Sequence, residues 1–267
     1  MKYLNGKDLA EFIKERQLKQ VRNLRQGHHI YPKLAIVHTI DNPVLELYMK
    51  LKKSYGEDIL IDVETYKVSK DDIEAKILSL NTDKTIQGII VQLPLDGSLS
   101  VDHVLSLVSP EKDVDGLGDN AKFDSATPTA INWLLGGYNV ELKDKQIAIV
   151  GNGRLVGKPL SKIWRNSGYN VRILDKQDDI SIELKKANVI VSAVGSPGII
   201  SSDMIQPSAV VVDAGSTSED GQVKGDIADD VYIRDDLTIT PKKGGVGPLT
   251  VSALFDNVIR AARNQIK

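Results

Sequence analysis

Tyr48 and Lys52 stand four residues apart in the chain, a phenol and an amine whose chemistry one ligand can share. On a helix that spacing puts both on one face, where the ring can stack on a ligand while the amine moves a proton. Lys50, Lys53 and Glu46 surround the pair, so spacing alone favours an ordinary solvated helix face. Gln92-Leu-Pro94-Leu follows an apolar run and stands at the strand-end rim where parallel sheets place ligand contacts. Pro94 there is also explained as a strand terminator. Lys112-Asp-Val-Asp-Gly116 brings two carboxylates, Asp113 and Asp115, into one loop. A calcium loop needs its glycine later and a distal glutamate, so a plain Asp-Gly turn is the simpler reading and no metal is expected.

A second kind of chemistry is written in glycine. Ile147 to Val150 is apolar, Gly151, Gly153 and Gly157 follow, and Leu160, Ile163 and Trp164 begin a helical pattern behind them. A strand, a glycine turn and a helix start make an anion site, because glycine admits a phosphate close to the backbone and the first helical N–H groups point at it. The spacing is one residue longer than the commonest dinucleotide fingerprint, and glycine also serves such turns for geometry alone. Asp175 ends the next apolar strand, 24 residues after Gly151, where such folds place the acid that holds a ribose hydroxyl. Gly151, Asn152, Gly153, Val156, Gly157, Asp175 and Lys176 are therefore the candidate nucleotide contacts. Gly244-Gly-Val-Gly-Pro-Leu-Thr250, with Gly247 and Thr250, is a second glycine loop ahead of the last helix. Two such loops suit a dinucleotide with one at each end.

These residues need elements to position them. Apolar periodicity predicts a helix from Asn5 to Arg25, a strand over Lys33–His38 and a helix from Asp41-Asn-Pro43 to about Tyr55. A strand follows at Ile59–Tyr66, a helix capped by Ser69–Asp72 running to Leu80, a strand at Ile86–Gln92 and a short helix at Val101–Val108. Thr127-Pro128 opens a bridging helix to Leu135, with threonine as N-cap and proline at the first helical position. Strands are expected near 147–150, 171–174, 188–192, 209–213 and 237–240, and a helix from Val251 to the end. This alternation predicts an α/β protein of two lobes with parallel sheets and a ligand cleft between them. The domains are residues 1–120, completed by a C-terminal helix (251–267) that returns to the first lobe, and residues 121–250.

Composition narrows the partners. The chain has 267 residues, 41% hydrophobic and 26% charged, with a net charge of −2. That balance supplies no electrostatic case for nucleic acid or an anionic membrane. With no cysteine among its residues, the chain has no disulfide, thiolate nucleophile or cysteine-bound metal. His28, His29, His38 and His103 show no ligand spacing. The N-terminus turns charged too early for a signal peptide, and no apolar run reaches membrane-spanning length, so a cytoplasmic location is expected.

The order of the pieces resembles the methylenetetrahydrofolate dehydrogenase/cyclohydrolase family. The order is Tyr-x-x-x-Lys at 48–52, Gln-Leu-Pro at 92–94, Lys-Asp-Val-Asp-Gly at 112–116 and Thr-Pro at 127–128. Gly-x-x-x-x-Val-Gly-Lys-Pro at 151–159 and Thr-Pro-x-x-Gly-Gly-Val-Gly-Pro-x-Thr at 240–250 complete it. The resemblance covers nearly the whole chain, and Lys112–Gly116 and Gly244–Thr250 are its most specific parts. It implies two Rossmann-like lobes and a homodimer. It also implies oxidation of 5,10-methylenetetrahydrofolate with NADP or NAD, then hydrolysis of the methenyl product to 10-formyltetrahydrofolate in the same site. By the resemblance, Tyr48 stacks on the folate aryl ring and Gln92 hydrogen-bonds and tunes Lys52. Asp115 holds the pterin and Pro94 borders it, while Gly151–Gly157, Ala193, Gly247 and Thr250 cradle the cofactor. Lys52 is the proton shuttle of hydrolysis and is expected on an exposed cleft wall. Hydride transfer leaves a cation and needs positioning more than proton transfer.

The chain departs from the family pattern at Ile40, Leu45, Asn120-Ala-Lys122, Ser125-Ala, Asn152-Gly153, Leu174-Asp-Lys176 and Lys242-Lys243. The family's NADP users carry Arg and Ser at the glycine turn and next strand end. Asn152, Gly153 and Asp175 stand there instead, which leans the choice modestly toward NAD, while Arg154 and Lys176 pull toward a phosphate. Two other readings compete. A dehydrogenase of similar build acting on another small substrate would keep the glycine turn and have no use for Tyr48, Lys52, Gln92 and Asp115 together. A folate- or nucleotide-binding protein without turnover would be favoured by Leu45 and Lys243 at lining positions. The Tyr-x-x-x-Lys of short-chain dehydrogenases lies after the glycine turn, and here it lies about a hundred residues before, so that order argues against them.

Overall fold

The computed structural model describes residues 1–215, 217–219 and 222–266. In chain order the first half runs β1 (Lys2–Tyr3), α1 (Gly6–His28), β2 (Lys33–His38), α2 (Pro43–Asp58), β3 (Asp62–Lys67), α3 (Ile73–Thr82), β4 (Gly88–Val91) and α4 (Val101–Ser106). The second half runs α5 (Ala126–Gly137), β5 (Gln146–Val150), α6 (Gly157–Asn166), β6 (Asn170–Leu174), α7 (Ile180–Leu184), β7 (Val189–Ser192) and β8 (Val210–Asp213). It continues through β9 (Thr217–Glu219), β10 (Gln222–Lys224), β11 (Thr238–Ile239) and α8 (Val246–Arg263). Two compact units result. One joins Met1–Ala10 to Thr127–Thr250, and the other joins Glu11–Ala126 to the chain from Val251 onward.

In the unit that begins at Glu11, a three-stranded parallel sheet has the order β3-β2-β4. The inner strand β2 is buried at Leu34, Ala35, Ile36, Val37 and His38, and a near-continuous apolar run is what a parallel strand covered on both faces requires. Ile73, Ile77 and Leu80 of α3 and Val104 and Leu105 of α4 complete the core on one face of this sheet. The α8 residues from Val251 belong to this unit, as expected of the returning C-terminal helix. Gln17 of α1 donates to the Ser252 carbonyl at 2.8 Å, and the Tyr55 hydroxyl of α2 lies 2.7 Å from Gln17 Oε1 and 3.0 Å from Ser252 Oγ.

The other unit holds a six-stranded parallel sheet of order β1-β11-β8-β7-β5-β6. The first residues of the chain go with this unit because Lys2 and Tyr3 pair with Thr238 and Ile239, a contact no local pattern announces. The three- and six-stranded sheets are parallel, and strand alternates with α-helix as far as β7, so the α/β class stands. From β8 to β11 no α-helix intervenes among the described residues, and β9 and β10 pair antiparallel. Among the described residues, no helix is long and apolar enough to cross a membrane.

Several boundaries differ from expectation for local reasons. The strand expected from Ile59 begins at Asp62, because α2 runs to Asp58 and Leu60 takes a left-handed φ of 63° in the intervening turn. The bridging helix starts at Ala126, so Thr127 is inside it rather than its N-cap. Pro128 falls in the first turn, where no backbone N–H is needed. The last helix starts at Val246 rather than Val251, and Gly247 and Thr250 lie in its opening turns. Asp72 precedes α3 without a side-chain cap bond, and instead receives the Ser69 hydroxyl at 2.6 Å.

Candidate active site

The small parallel sheet places Gln92 directly after β4, with its N–H donating to the Val37 carbonyl of β2 at 2.8 Å. Its backbone is thereby fixed, and its side chain is half-buried. Lys52 lies on α2, and its Nζ donates to Gln92 Oε1 at 2.7 Å. Lys52 is half-buried rather than on an exposed wall. Desolvation pulls its pKa below the ordinary lysine value, and the Asp115 carboxyl opposes that pull. Asp115 answers in kind. Burial raises its pKa to about 6, Lys52 restrains the rise and Asp113 adds to it. An amine held on an amide oxygen and a carboxyl, each disfavoured as a charge by its surroundings, thus influence each other's titration. Such displaced titrations mark sites of acid–base chemistry.

Tyr48 is half-buried one helical turn before Lys52, so the structure keeps the two on one stretch of α2. Pro94 is exposed just past Gln92, and the Leu93–Pro94 peptide is cis. Leu45 is a core residue, 5% exposed, so it does not line a site and does not support a protein without turnover. Lys243 is exposed.

The loop that carries Asp115 is held by residues with no motif of their own. Asp113 is buried and accepts the backbone N–H groups of Gly116 at 3.0 Å and Gly118 at 2.8 Å, so it shapes the loop rather than facing a ligand. Gly116 adopts φ 67°, which an L side chain resists, and its carbonyl accepts the Ser125 hydroxyl at 2.8 Å. Asn257 of α8 donates to the Val114 carbonyl at 2.9 Å and to the Asp124 carbonyl at 3.0 Å. Lys112 donates to the carbonyls of Leu80 and Asp83 at 2.8 and 2.6 Å. Only Asp115 of the acidic motif remains for a ligand. The one signal of this in the sequence is that the motif holds two carboxylates where one suffices for a turn.

The glycine turn lies in the other unit at the carboxyl end of β5. Gly151 donates to the Leu174 carbonyl at 2.8 Å, which sets it beside the end of β6, and Asp175 is the next residue. The strand end is therefore where the sequence places it, and Asp175 and Lys176 are exposed there. A Cβ on Gly157 would lie 1.9 Å from the Gly151 carbonyl oxygen, and one on Gly151 would lie 2.7 Å from the Ala193 carbonyl oxygen. These contacts close the turn against α6 and against the loop after β7. Asn152 and Gly153 are exposed, Val156 is half-buried, and a Cβ on Gly153 would meet no heavy atom within 4 Å. Gly247 is similarly open in the first turn of α8. Thr250 Oγ1 lies 3.5 Å from Thr127 Oγ1 and 3.3 Å from the Val246 carbonyl. Tight packing behind the turn and open backbone in front of it fit a dinucleotide. Among the described residues, no group of three or more His, Asp or Glu is placed to hold a metal.

Comparison with known proteins supplies the remaining observation. The catalytic-domain model of tetrahydrofolate dehydrogenase/cyclohydrolase matches residues 4–115, and the NAD(P)-binding-domain model of the same enzyme matches residues 125–266. A bifunctional FolD protein of Hydrogenobaculum sp. is 36% identical, with 100% of each chain covered. The crystal structure of a bifunctional FolD from Campylobacter jejuni superposes with a TM-score of 0.93 at 31% identity, covering 99% of both chains. The Trypanosoma brucei enzyme, whose crystal structure holds NADP and an inhibitor, superposes with a TM-score of 0.92 at 25% identity over 99% of this chain and 98% of that one.

Proposed function

The chain belongs to the tetrahydrofolate dehydrogenase/cyclohydrolase family, and from that premise we propose that Lys52 carries the proton of its hydrolytic step. The protein is a bifunctional enzyme of one-carbon metabolism. It oxidises 5,10-methylenetetrahydrofolate to the 5,10-methenyl cation with NAD(P) and hydrolyses that cation to 10-formyltetrahydrofolate. When bound, the nicotinamide ring accepts the hydride that leaves the methylene carbon.

The Lys52–Gln92 hydrogen bond at 2.7 Å, beside Asp115, carries the proposal. An amine whose pKa is lowered by desolvation offers a neutral lone pair nearer neutral pH. Lys52 takes one proton from the water that attacks the methenyl carbon. The second proton of that water moves to the pteridine nitrogen as its bond to the carbon breaks, and the formyl group stays on the other nitrogen. Gln92 holds the amine by accepting from it, so the lone pair keeps one direction. Asp115 accepts hydrogen bonds from the pterin N–H donors, Tyr48 stacks on the aryl ring, and Pro94 lines the substrate beside Gln92. In this reading Lys52, Tyr48, Gln92 and Asp115 are the working set.

Gly151, Asn152, Gly153, Val156, Gly157, Ala193, Gly247 and Thr250 hold the dinucleotide, with Asp175 on the ribose and Lys176 beside it. Exposed Asp175 at the end of β6 repels a 2′-phosphate and accepts from a free ribose, which supports a modest preference for NAD over NADP. The molecule acts as a cytoplasmic homodimer on this reading, a state that light scattering at micromolar concentration measures directly. The test of the reading is to supply methylenetetrahydrofolate with NAD or NADP and follow methenyl absorbance and 10-formyl product. Both products are expected, with NAD the better cofactor. Oxidation without hydrolysis would remove the role given to Lys52.

A further inference from the structure

Outside the residues assigned above lies a second pair of acids, Asp213 at the end of β8 and Asp226 beyond the β9–β10 hairpin. Asp226 is fully buried. Its Oδ2 accepts the Ser192 hydroxyl at 2.6 Å and the Val194 N–H at 2.8 Å, and its Oδ1 accepts the Ser196 N–H at 2.8 Å. Asp213 in turn accepts the N–H groups of Gly215 at 3.1 Å and of Asp226 and Ile227, both at 3.2 Å. The pair fits only because glycine faces each carboxyl: a Cβ on Gly215 would lie 2.1 Å from Asp226 Cγ, and one on Gly225 would lie 2.0 Å from Asp213 Oδ2. Burying a carboxyl as deeply as Asp226 is costly unless its hydrogen bonds are satisfied, and here all three are.

What Asp226 holds is the loop after β7, while Asp213 holds the backbone of Asp226. That loop begins at Ala193, whose carbonyl lies against Gly151, so it borders the glycine turn. In the strand order β7-β5-β6, Asp175 stands at the β6 end, the glycine turn at the β5 end and this loop at the β7 end. A dinucleotide with its ribose at Asp175 and its pyrophosphate at the turn runs on toward the loop. Val194 is 41% exposed although its N–H is tied down, so the clamp acts on the backbone and leaves the outer surface available.

We propose that Asp226 is a positioning residue of the dehydrogenase step, clamping Ala193–Ser196 beside the glycine turn so that the loop backbone meets the nicotinamide end of the cofactor. This rests on the dinucleotide reading of the glycine turn. The hydrolytic step needs no dinucleotide and does not use the clamp. Asn at this position offers one acceptor oxygen and sets an NH2 donor against an N–H or hydroxyl that also donates, so it cannot hold all three groups.

The test uses the full-length protein carrying Asp226→Asn and, separately, Ser192→Ala. Cofactor Kd comes from NAD and NADP titration, dehydrogenase kcat and KM from methenyl formation, and cyclohydrolase kcat and KM from methenyltetrahydrofolate without nucleotide. Asp226→Asn is expected to raise cofactor Kd and KM at least about tenfold, the loss typical of a buried charged hydrogen bond, with cyclohydrolase constants within about twofold of wild type. Ser192→Ala, which removes one bond and keeps the rest, is expected to shift cofactor KM about threefold in the same direction. It decides the matter should Asp226→Asn not fold. Unchanged cofactor Kd and KM in a folded variant, or a parallel fall of both activities, would overturn the proposal. Wild-type protein that binds neither dinucleotide would overturn the parent reading, and this one with it.

Discussion

Lys52 on α2, Gln92 just after β4 and Asp115 in a loop belong to the unit with the three-stranded sheet and present side chains. Gly151, Gly157 and Gly247 stand around a six-stranded sheet and present backbone. On the proposed function, the working groups of the first region are an amine and a carboxyl whose titrations are displaced by burial and by each other. In the second, the same reading makes the working groups N–H dipoles, so what would matter is that no side chain intrudes. A backbone site tolerates changes such as Asn152 and Gly153, whose positions are exposed, because the recognising atoms belong to every residue type. It does not tolerate an added Cβ at Gly157. A side-chain site has the opposite sensitivity: its backbone survives substitution and its chemistry does not. The departures from the family pattern at 152, 153, 174–176 and 242–243 therefore bear on cofactor choice more than on the reaction.

Variants can drive the two regions apart. Lys52→Met is expected to give the largest effect, a loss of about 10²–10⁴-fold in methenyltetrahydrofolate hydrolysis, the usual contribution of a positioned acid or base. Cofactor Kd should stay at the wild-type value. Hydrolysis at the wild-type rate would return Lys52 to an ordinary helix face. Gly157→Ala should act on the other region alone. With its Cβ 1.9 Å from the Gly151 oxygen the turn must shift, and overpacking of about 1–3 kcal/mol predicts roughly 5- to 150-fold weaker dinucleotide binding, read by titration, with hydrolysis intact. If hydrolysis falls in step, the regions are not separable in this way.

Asp115→Ala should weaken folate binding by about 2 kcal/mol, roughly 30-fold, because it strands the pterin donors that the carboxyl pairs. Isothermal titration with folate and with NAD separates the ligands, and equal losses for both would remove Asp115 from the folate. The smallest effect is expected from Asp175→Ser, a change of about tenfold in the NAD-to-NADP ratio of kcat/KM in favour of NADP. A wild-type preference for NADP that the substitution leaves unaltered would mean that Asp175 does not meet the ribose.

Legibility in the sequence follows the same division. The glycine turn is readable because steric demand is local: a strand, three glycines and a helix start within a dozen residues fix the geometry. Asp175 is readable for the same reason, since a strand end is set by a short apolar run. The depth of Lys52 is not, because Lys50 is exposed beside it and the charged run makes α2 look solvated from its own sequence. The support of Asp115 is hidden for a different reason. Asn257 reaches the Val114 carbonyl from 143 positions away, and nothing near either residue records the contact. Likewise β1 finds its partner strand 236 residues downstream, Lys2 opposite Thr238. The helix starts at Ala126 and Val246 escape the sequence because Pro128 and Pro248 are compatible with a first turn as well as with a loop before it.

On the proposed function, desolvation makes Lys52 a base and Asp115 opposes the effect. The direct measurement is the pH dependence of kcat for hydrolysis of saturating methenyltetrahydrofolate, corrected for the uncatalysed rate, in wild type and in Asp115→Asn. The rate should rise with pH as Lys52 loses its proton, with a midpoint below the ordinary lysine value of 10.5. Asp115 raises the Lys52 pKa, so its replacement should move the midpoint lower still. A rate that falls with rising pH, or a midpoint that moves upward in Asp115→Asn, would contradict the account.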